Sequence, residues 1–345
     1  MNSLSLTMFI LSLATGTTIT LISHHWLLAW IGLEINTLAL IPMMTKTPHP
    51  RAIEAATKYF LMQATASTLL LFSALINAWQ TGEWAITLLS NPSSTLLAIA
   101  LMTKLGLAPM HFWMPEVLQG IPLSSGLILS TWQKIAPMTL LIQISQLINL
   151  ELVFTIGFIS ILIGGWGGIN QTQLRKIMAF SSIGHLGWMM IILKLNPNLA
   201  LFNFILYLMM TTAMFLALMT TNSTKMFDIS TVYAKTPTLA PIVMLTLLSL
   251  AGLPPLTGFA PKLLISMELV KQNAILLASS IMLISLLALF FYLRLTYVIT
   301  LTLPPNSSNS TPTWYFLTKV NPMTAPLNTL ALFILPLSPT LTLLM

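Results

Sequence analysis

Four charged side chains in this chain sit among apolar neighbours. Glu34 lies in Trp30-Ile-Gly-Leu-Glu-Ile-Asn-Thr-Leu38, Lys104 in Ala100-Leu-Met-Thr-Lys-Leu-Gly106, and Lys134 in Thr131-Trp-Gln-Lys-Ile-Ala-Pro137. Lys262 follows a proline-rich interruption that ends at Pro261. An ionisable group in such surroundings costs several kcal/mol unless it faces a cavity or a partner. One carboxylate cannot neutralise three ammoniums, so at least two of the lysines need another reason to be there. Desolvation favours the neutral amine, and a lysine poised between its two forms can load and release a proton. A carboxylate about 6 Å away, at an effective dielectric of about 20, stabilises the charged form by roughly 2.8 kcal/mol. Glu34 would then act as a switch on a neighbouring lysine. For any one of the four, a structural ion pair is the plain alternative.

Three further residues are candidate proton relays. His111 lies in Ala108-Pro-Met-His-Phe-Trp113 and His185 in Ser181-Ser-Ile-Gly-His-Leu-Gly187. An imidazole titrating near pH 6.5 can pass protons between waters, although a packing histidine explains either one equally well. Lys58, four residues after Glu54, reads as an interfacial i,i+4 ion pair and is the third candidate. The histidines show no repeated spacing of the kind that facing haem ligands need. The absence of cysteine excludes thiolate-bound iron–sulfur clusters, disulfides and a thiol nucleophile. No metal or cofactor site is expected in this chain.

The elements that position these residues must be membrane helices. Of 345 residues, 56% are hydrophobic and 6% charged, with a mean hydropathy of +0.88. A soluble domain carries about 25% charged residues, so the solvent here is lipid. The net charge of +7 forms no patch or stripe and gives no nucleic-acid footprint. Met1 to Phe9 shows neither a transit-peptide nor a signal-peptide pattern. Segments of spanning length lie near 3–23, 26–45, 53–79, 93–114, 122–147, 151–171, 174–194, 198–222, 237–270, 274–302 and 323–343, giving about eleven transmembrane helices in an all-α fold. A polar loop is expected from Pro304 to Pro312. With the amino terminus inside, Lys46, Arg51, Arg175, Lys176, Lys225, Lys235 and Lys319 fall on the inner side, as the distribution of Lys and Arg in loops requires. The carboxyl terminus is then outside.

Two segments carry matching interruptions. Gly106-Leu-Ala-Pro-Met-His-Phe-Trp-Met-Pro-Glu116 and Gly252-Leu-Pro-Pro-Leu-Thr-Gly-Phe-Ala-Pro-Lys262 share the Gly, the Leu and two prolines without gaps. Pro109 in the first, and Pro254, Pro255 and Gly258 in the second, should break their helices. Lipid cannot replace the backbone hydrogen bonds so lost, so such breaks survive only at a protein-enclosed or wet cavity. Broken helices in corresponding halves point to a transporter built from repeats; two unrelated proline kinks are the alternative. A single domain is expected over 1–345, with repeats over about 1–147 and about 151–302 and a last helix over about 323–343. Gly164-Gly-Trp-Gly-Gly168 offers small residues for close helix packing.

The strings Glu54-Ala-Ala-Thr-Lys-Tyr-Phe60, Gln63-Ala-Thr-Ala-Ser67, Lys104-Leu-Gly-Leu-Ala-Pro109, Trp132-Gln-Lys-Ile-Ala-Pro137, Gly165-Trp-Gly-Gly-Ile-Asn-Gln-Thr-Gln173 and Gly252-Leu-Pro-Pro-Leu-Thr-Gly258 carry a resemblance. Over essentially its whole length the chain resembles the antiporter-like subunits of NADH–ubiquinone oxidoreductase, respiratory complex I, in their vertebrate mitochondrial form. Bacterial members of that family have three more helices at the amino end. The resemblance implies an inverted-repeat antiporter-like fold and a proton-pumping module, with Glu34, Lys104, Lys134 and Lys262 matching the family's central hydrophilic axis one by one. It also implies that NADH, flavin, iron–sulfur clusters and quinone are held by other subunits. Bound phospholipid, further antiporter-like membrane-arm partners and a multi-pass place in the mitochondrial inner membrane, with the amino terminus on the matrix side, follow as expectations. A free-standing cation/proton antiporter and a purely structural membrane scaffold are the competing functions. The exchanger would carry more carboxylates to take a metal cation, whereas lysines repel Na⁺ and K⁺.

Overall fold

Proline, glycine and asparagine set the helix ends. In a computed structural model that describes residues 3–46, 48–230, 239–301 and 323–340, α1 (Ser3–Ile22) leads into α2 (Trp26–Met44), which His25 caps by accepting the Leu27 N–H. α3 (Pro50–Thr81) begins on a proline, whose missing N–H is no loss in a first turn, and ends at Gly82 with φ +75°. α4 (Asn91–Leu105), α5 (Trp113–Gly120), α6 (Leu123–Ser130) and α7 (Trp132–Gln143) follow. Then come α8 (Leu150–Ile169), α9 (Leu174–Leu193) and α10 (Pro197–Thr221), the last capped by Asn196, whose side chain accepts the Leu199 N–H at 3.2 Å. The short α11 (Met226–Ser230) precedes α12 (Leu239–Ala251), α13 (Phe259–Lys271), α14 (Ile275–Leu301) and α15 (Thr324–Phe333). Seven helices, α1, α2, α3, α8, α9, α10 and α14, are long and apolar enough to cross a membrane. No strand occurs among the described residues.

Most of the expected helices are there. The last one, expected over 323–343, is instead a helix over Thr324–Phe333 followed by a 3-10 turn at Leu335–Leu337, where Pro336 lacks the N–H that a continuing helix needs. Both breaks fall where glycine and proline place them. α4 stops at Gly106 and α12 at Gly252, with φ +77° and +78°, and irregular turns holding Pro109, or Pro254, Pro255 and Gly258, lead to α5 or α13. The two stops share one hydrogen-bond pattern. Leu107 N–H donates to Met102 O at 3.1 Å and Leu253 N–H to Leu248 O at 3.3 Å, the six-to-one bond of a glycine-terminated helix. The expected continuous helix over 122–147 is a correction: it divides at Thr131 into α6 and α7 and ends at Gln143. The Ser130 and Thr131 hydroxyls both donate to Leu127 O, at 3.1 and 2.6 Å. Side chains that take backbone acceptors in this way bend and interrupt helices. Pro137, lacking an N–H, removes one more helical bond from the following turns. The expected loop from Pro304 to Pro312, Lys235 and Lys319 lie outside the described residues.

The contacts divide the chain into two units, 1–159 and 160–345. In the first, α1 packs on α2, α2 on α3, and α3 on both α4 and α5. Gly16 and Gly32 let α1 and α2 touch: a Cβ on either would meet the other's carbonyl oxygen, at 2.9 and 2.8 Å. In the second, the glycines of α8 serve two faces. A Cβ at Gly164 would meet Gly184 N of α9 at 2.6 Å, while one at Gly165 would meet Leu287 of α14 at 2.9 Å and one at Gly168 the Phe291 ring at 2.7 Å.

Each unit also ties two of its loops by the same pair of bonds. Trp26 N–H donates to Trp84 O and Ile86 N–H to His24 O; in the second unit Leu174 N–H donates to Thr224 O and Met226 N–H to Thr172 O. Three long helices followed by a broken one thus recur with the same loop bridge. Beside the second bridge, partial burial raises the Asp228 carboxyl. Bonds from the Thr224 and Lys225 N–H groups and the Thr224 hydroxyl outweigh that effect and hold it below the usual carboxylate range.

Candidate functional site

The first unit brings three of the four sequence-predicted charges together. Glu34, midway along α2, places Oε1 3.9 Å from the Lys104 ammonium in the last turn of α4. The lysine side chain is 2% exposed and the carboxylate 23%. At 3.9 Å the pair is beyond hydrogen-bonding range, and neither Lys104 Nζ nor Glu34 Oε1 has a hydrogen-bond partner. The attraction is therefore through space, and at an effective dielectric of about 20 it amounts to about 4 kcal/mol. Thr37, one turn along α2, donates to the Glu34 backbone carbonyl at 2.9 Å and lies 3.4 Å from Oε2.

Lys104 and Lys134 share a wall. Both line a cavity of about 10 Å³ with Thr37, Tyr59, Gln63, Trp113 and Gln133, about the space of one water. The break at Thr131 puts Lys134, 3% exposed, into the first turn of α7. Gln63 of α3 donates to Lys104 O at 3.3 Å, and Gln133 to Asn36 O at 2.7 Å. Polar side chains from four helices thereby converge on the space between two ammoniums.

Lys262 belongs to the second unit. Its ammonium crosses the break and donates to Ala251 O at 2.6 Å, at the carbonyl-rich end of α12 where a cation is favoured. A Cβ on Gly252 would stand 2.8 Å from both Cε and Nζ of Lys262, so the glycine is what lets the lysine reach across. Lys262 lines a second cavity, about 20 Å³, together with Ser181, His185, Ser285 and Tyr292.

The candidate relays separate into three situations. His185 is beside Lys262 and stacks obliquely on Tyr207, with ring centres 5.8 Å apart. His111 is buried in the first break, 3.2 Å from Pro109 O and against Phe112, and does not line the first cavity. Lys58 makes the expected contact with Glu54 at 2.7 Å, and a second one with Glu116 of α5, also at 2.7 Å. Glu116 ends the first break and is not among the sequence-predicted site residues. Its signal is its register, ten residues after Gly106 as Lys262 is ten after Gly252. Gln63, Gln133 and Tyr292 were missed because uncharged polar residues are common in spans and none stands out alone.

A family model described as the transmembrane region of NADH:quinone oxidoreductase/Mrp antiporters matches residues 23–303, and one for the NADH dehydrogenase subunit 2 C-terminus matches 289–342. The NADH-ubiquinone oxidoreductase chain 2 of Aquarana catesbeiana is 69% identical over 344 residues, covering 100% of both chains. The chain belongs to the NADH-ubiquinone oxidoreductase chain 2 family. Chain 2 of Xenopus laevis is 56% identical over 341 residues, 98% of this chain and 99% of its own. A chain of respiratory complex I from Thermus thermophilus, solved with bound aureothin, matches at a TM-score of 0.83 and 26% identity, over 96% of this chain and 79% of that one. A chain of the Mrp complex from Dietzia sp. DQ12-45-1b has the same TM-score at 18% identity, over 97% and 75%, which shows the shared antiporter-like fold. The chain thus shares its helical membrane architecture with a subunit of an Mrp complex.

Proposed function

We propose that this chain is a proton-translocating subunit in the membrane arm of NADH-ubiquinone oxidoreductase, with Glu34, Lys104, Lys134 and Lys262 as its proton-handling groups. The observation that carries the reading is the buried Glu34–Lys104 pair, 3.9 Å apart, beside a water-sized cavity that Lys134 also lines. While Glu34 stays close, the charged lysine is stabilised by about 4 kcal/mol; at about 15 Å roughly 1 kcal/mol of that attraction remains. The difference, about 3 kcal/mol, changes the population of the charged pair by more than a hundredfold. Separating the two groups by such a distance therefore frees the Lys104 proton, and the cavity that both lysines line offers it a path to Lys134. In the second unit Lys262 bridges a broken helix beside its own cavity, with His185 as a relay. His111 and Lys58 remain candidate relays, the latter held between two carboxylates.

The reading assigns NADH, flavin, iron–sulfur clusters and quinone to other subunits, and no metal to this one. It takes the exposed apolar faces of α1 and α14 for lipid, including bound phospholipid, and for further antiporter-like chains. It places the chain in the mitochondrial inner membrane with the amino terminus on the matrix side and the carboxyl terminus on the intermembrane-space side. Three ammoniums to one carboxylate is a poor set for Na⁺ or K⁺, which disfavours a cation exchanger. The assembled complex in proteoliposomes, driven by NADH with choline replacing Na⁺ and K⁺, tests this. Proton translocation should be unchanged; a requirement for either cation would replace the proposal with the exchanger.

A further inference from the structure

Tyr292 is a buried phenol of the second unit. It lies on α14, is 1% exposed, and lines the Lys262 cavity, yet no protein group meets its hydroxyl in hydrogen-bond geometry. Ser181 faces it from α9 and gives its own proton to Met178 O at 2.8 Å, so toward the Tyr292 hydroxyl it acts only as an acceptor and leaves the phenol oxygen's lone pairs unmet. A buried hydroxyl without a partner is costly, and such groups in native proteins are usually met by ordered water. Phenylalanine would avoid the cost, and the preceding residue is Phe291, packed on Gly168 of α8. The cavity of about 20 Å³ exceeds the space one water needs, about 10–15 Å³. Its wall supplies the polar groups that hold one. The Lys262 ammonium has three donors and gives one to Ala251 O. His185 and Ser285 complete the wall.

We propose that this cavity is a water site and that Tyr292 is a positioning residue, its hydroxyl holding the water through which Lys262 exchanges its proton. The inference rests on the reading of Lys262 as a proton-handling group. The glycines of α8 set its geometry, because the Gly165 and Gly168 contacts bring α14 close enough for Tyr292 to face α9. The water accepts from Lys262 Nζ and exchanges hydrogen bonds with Tyr292 Oη. No proton is lost from the tyrosine over a cycle.

The test uses the whole assembled complex carrying Tyr292→Phe, with Lys262→Met as reference. The ring is kept, so the amount of assembled complex should equal wild type. Protons translocated per electron pair should fall about three- to tenfold, the worth of one hydrogen bond to a bound water. The solvent deuterium isotope effect on translocation should change as well, which a packing role would leave untouched. A high-resolution density map of the wild-type complex should show a water within hydrogen-bond distance of both Tyr292 Oη and Lys262 Nζ. Wild-type pumping by Tyr292→Phe, an unchanged isotope effect with reduced assembly, or a map without that water overturns the proposal and leaves the role of Lys262 standing. Wild-type pumping by Lys262→Met overturns the underlying reading instead.

Discussion

Glu34→Gln removes the half-buried carboxylate from the Lys104 pair while keeping its size and most of its hydrogen-bonding capacity. At 3.9 Å and a dielectric of about 20 the lost attraction is about 4 kcal/mol. The carboxylate is 23% exposed within this chain, so water screens part of it, and about 2–4 kcal/mol is the range to expect. That is about thirty- to a thousandfold in the population of charged Lys104. Lys104 should then no longer respond to movements of α2, and proton translocation per electron pair should fall several-fold at normal levels of assembled complex. The assay is uptake by proteoliposomes during NADH oxidation, with assembly measured on native gels. A purely structural ion pair behaves differently: stranding the Lys104 charge would cost about 3–5 kcal/mol and deplete the complex. In that case the double variant Glu34→Gln with Lys104→Met would restore assembly. Wild-type pumping by the single variant, or rescue of assembly by the double one, refutes the switch.

Three further outcomes follow from the geometry. Gly252→Ala forces a side chain into φ +78° and sets its Cβ 2.8 Å from the Lys262 ammonium; a strain of about 1–2 kcal/mol and loss of the Lys262–Ala251 contact should lower pumping, with density maps reporting the displaced lysine. Gly164→Ala drives a methyl to 2.6 Å from Gly184 N, and overpacking of this kind should cost about 1–3 kcal/mol, read as reduced thermal stability of the complex. The depressed Asp228 carboxyl gives the 224–228 turn stability that is present above the ordinary carboxylate pKa and is lost as pH falls through its folded value. Protection of the Thr224 and Lys225 N–H groups, taken relative to the intrinsic exchange rate at each pH, should therefore fall as pH drops below the ordinary carboxylate range in wild type, and should not change in that way in Asp228→Asn.

What was legible in the sequence is what depends on local chemistry. Long apolar runs declare spans whatever they pack against, and Gly106 and Gly252 declare helix ends because a glycine there can turn left-handed. Glu34 could be matched to a lysine across 70 residues only because it is the one acid near the middle of an expected span, Glu54, Glu151 and Glu268 falling at span ends. The break at Thr131 was hidden, since hydroxyls competing for the Leu127 carbonyl leave no proline or glycine at the break itself. The Lys58–Glu116 contact was hidden too, because α5, an eight-residue helix inside what reads as a loop, is what carries Glu116 to α3. The cavity walls are made of Gln63, Gln133, Ser181 and Tyr292, whose roles arise only from the packing of four or more helices.

The central claim is that protons cross this chain through buried lysines. The most direct measurement is protons translocated per electron pair in assembled complexes carrying Lys104→Met, Lys134→Met or Lys262→Met, each normalised to the amount of complex. Methionine keeps much of the apolar stem and removes the charge. Each variant should assemble near wild-type levels and translocate fewer protons per electron pair. Wild-type stoichiometry from all three, or loss of assembly with normal stoichiometry in what remains, would contradict the account and leave the lysines a structural role.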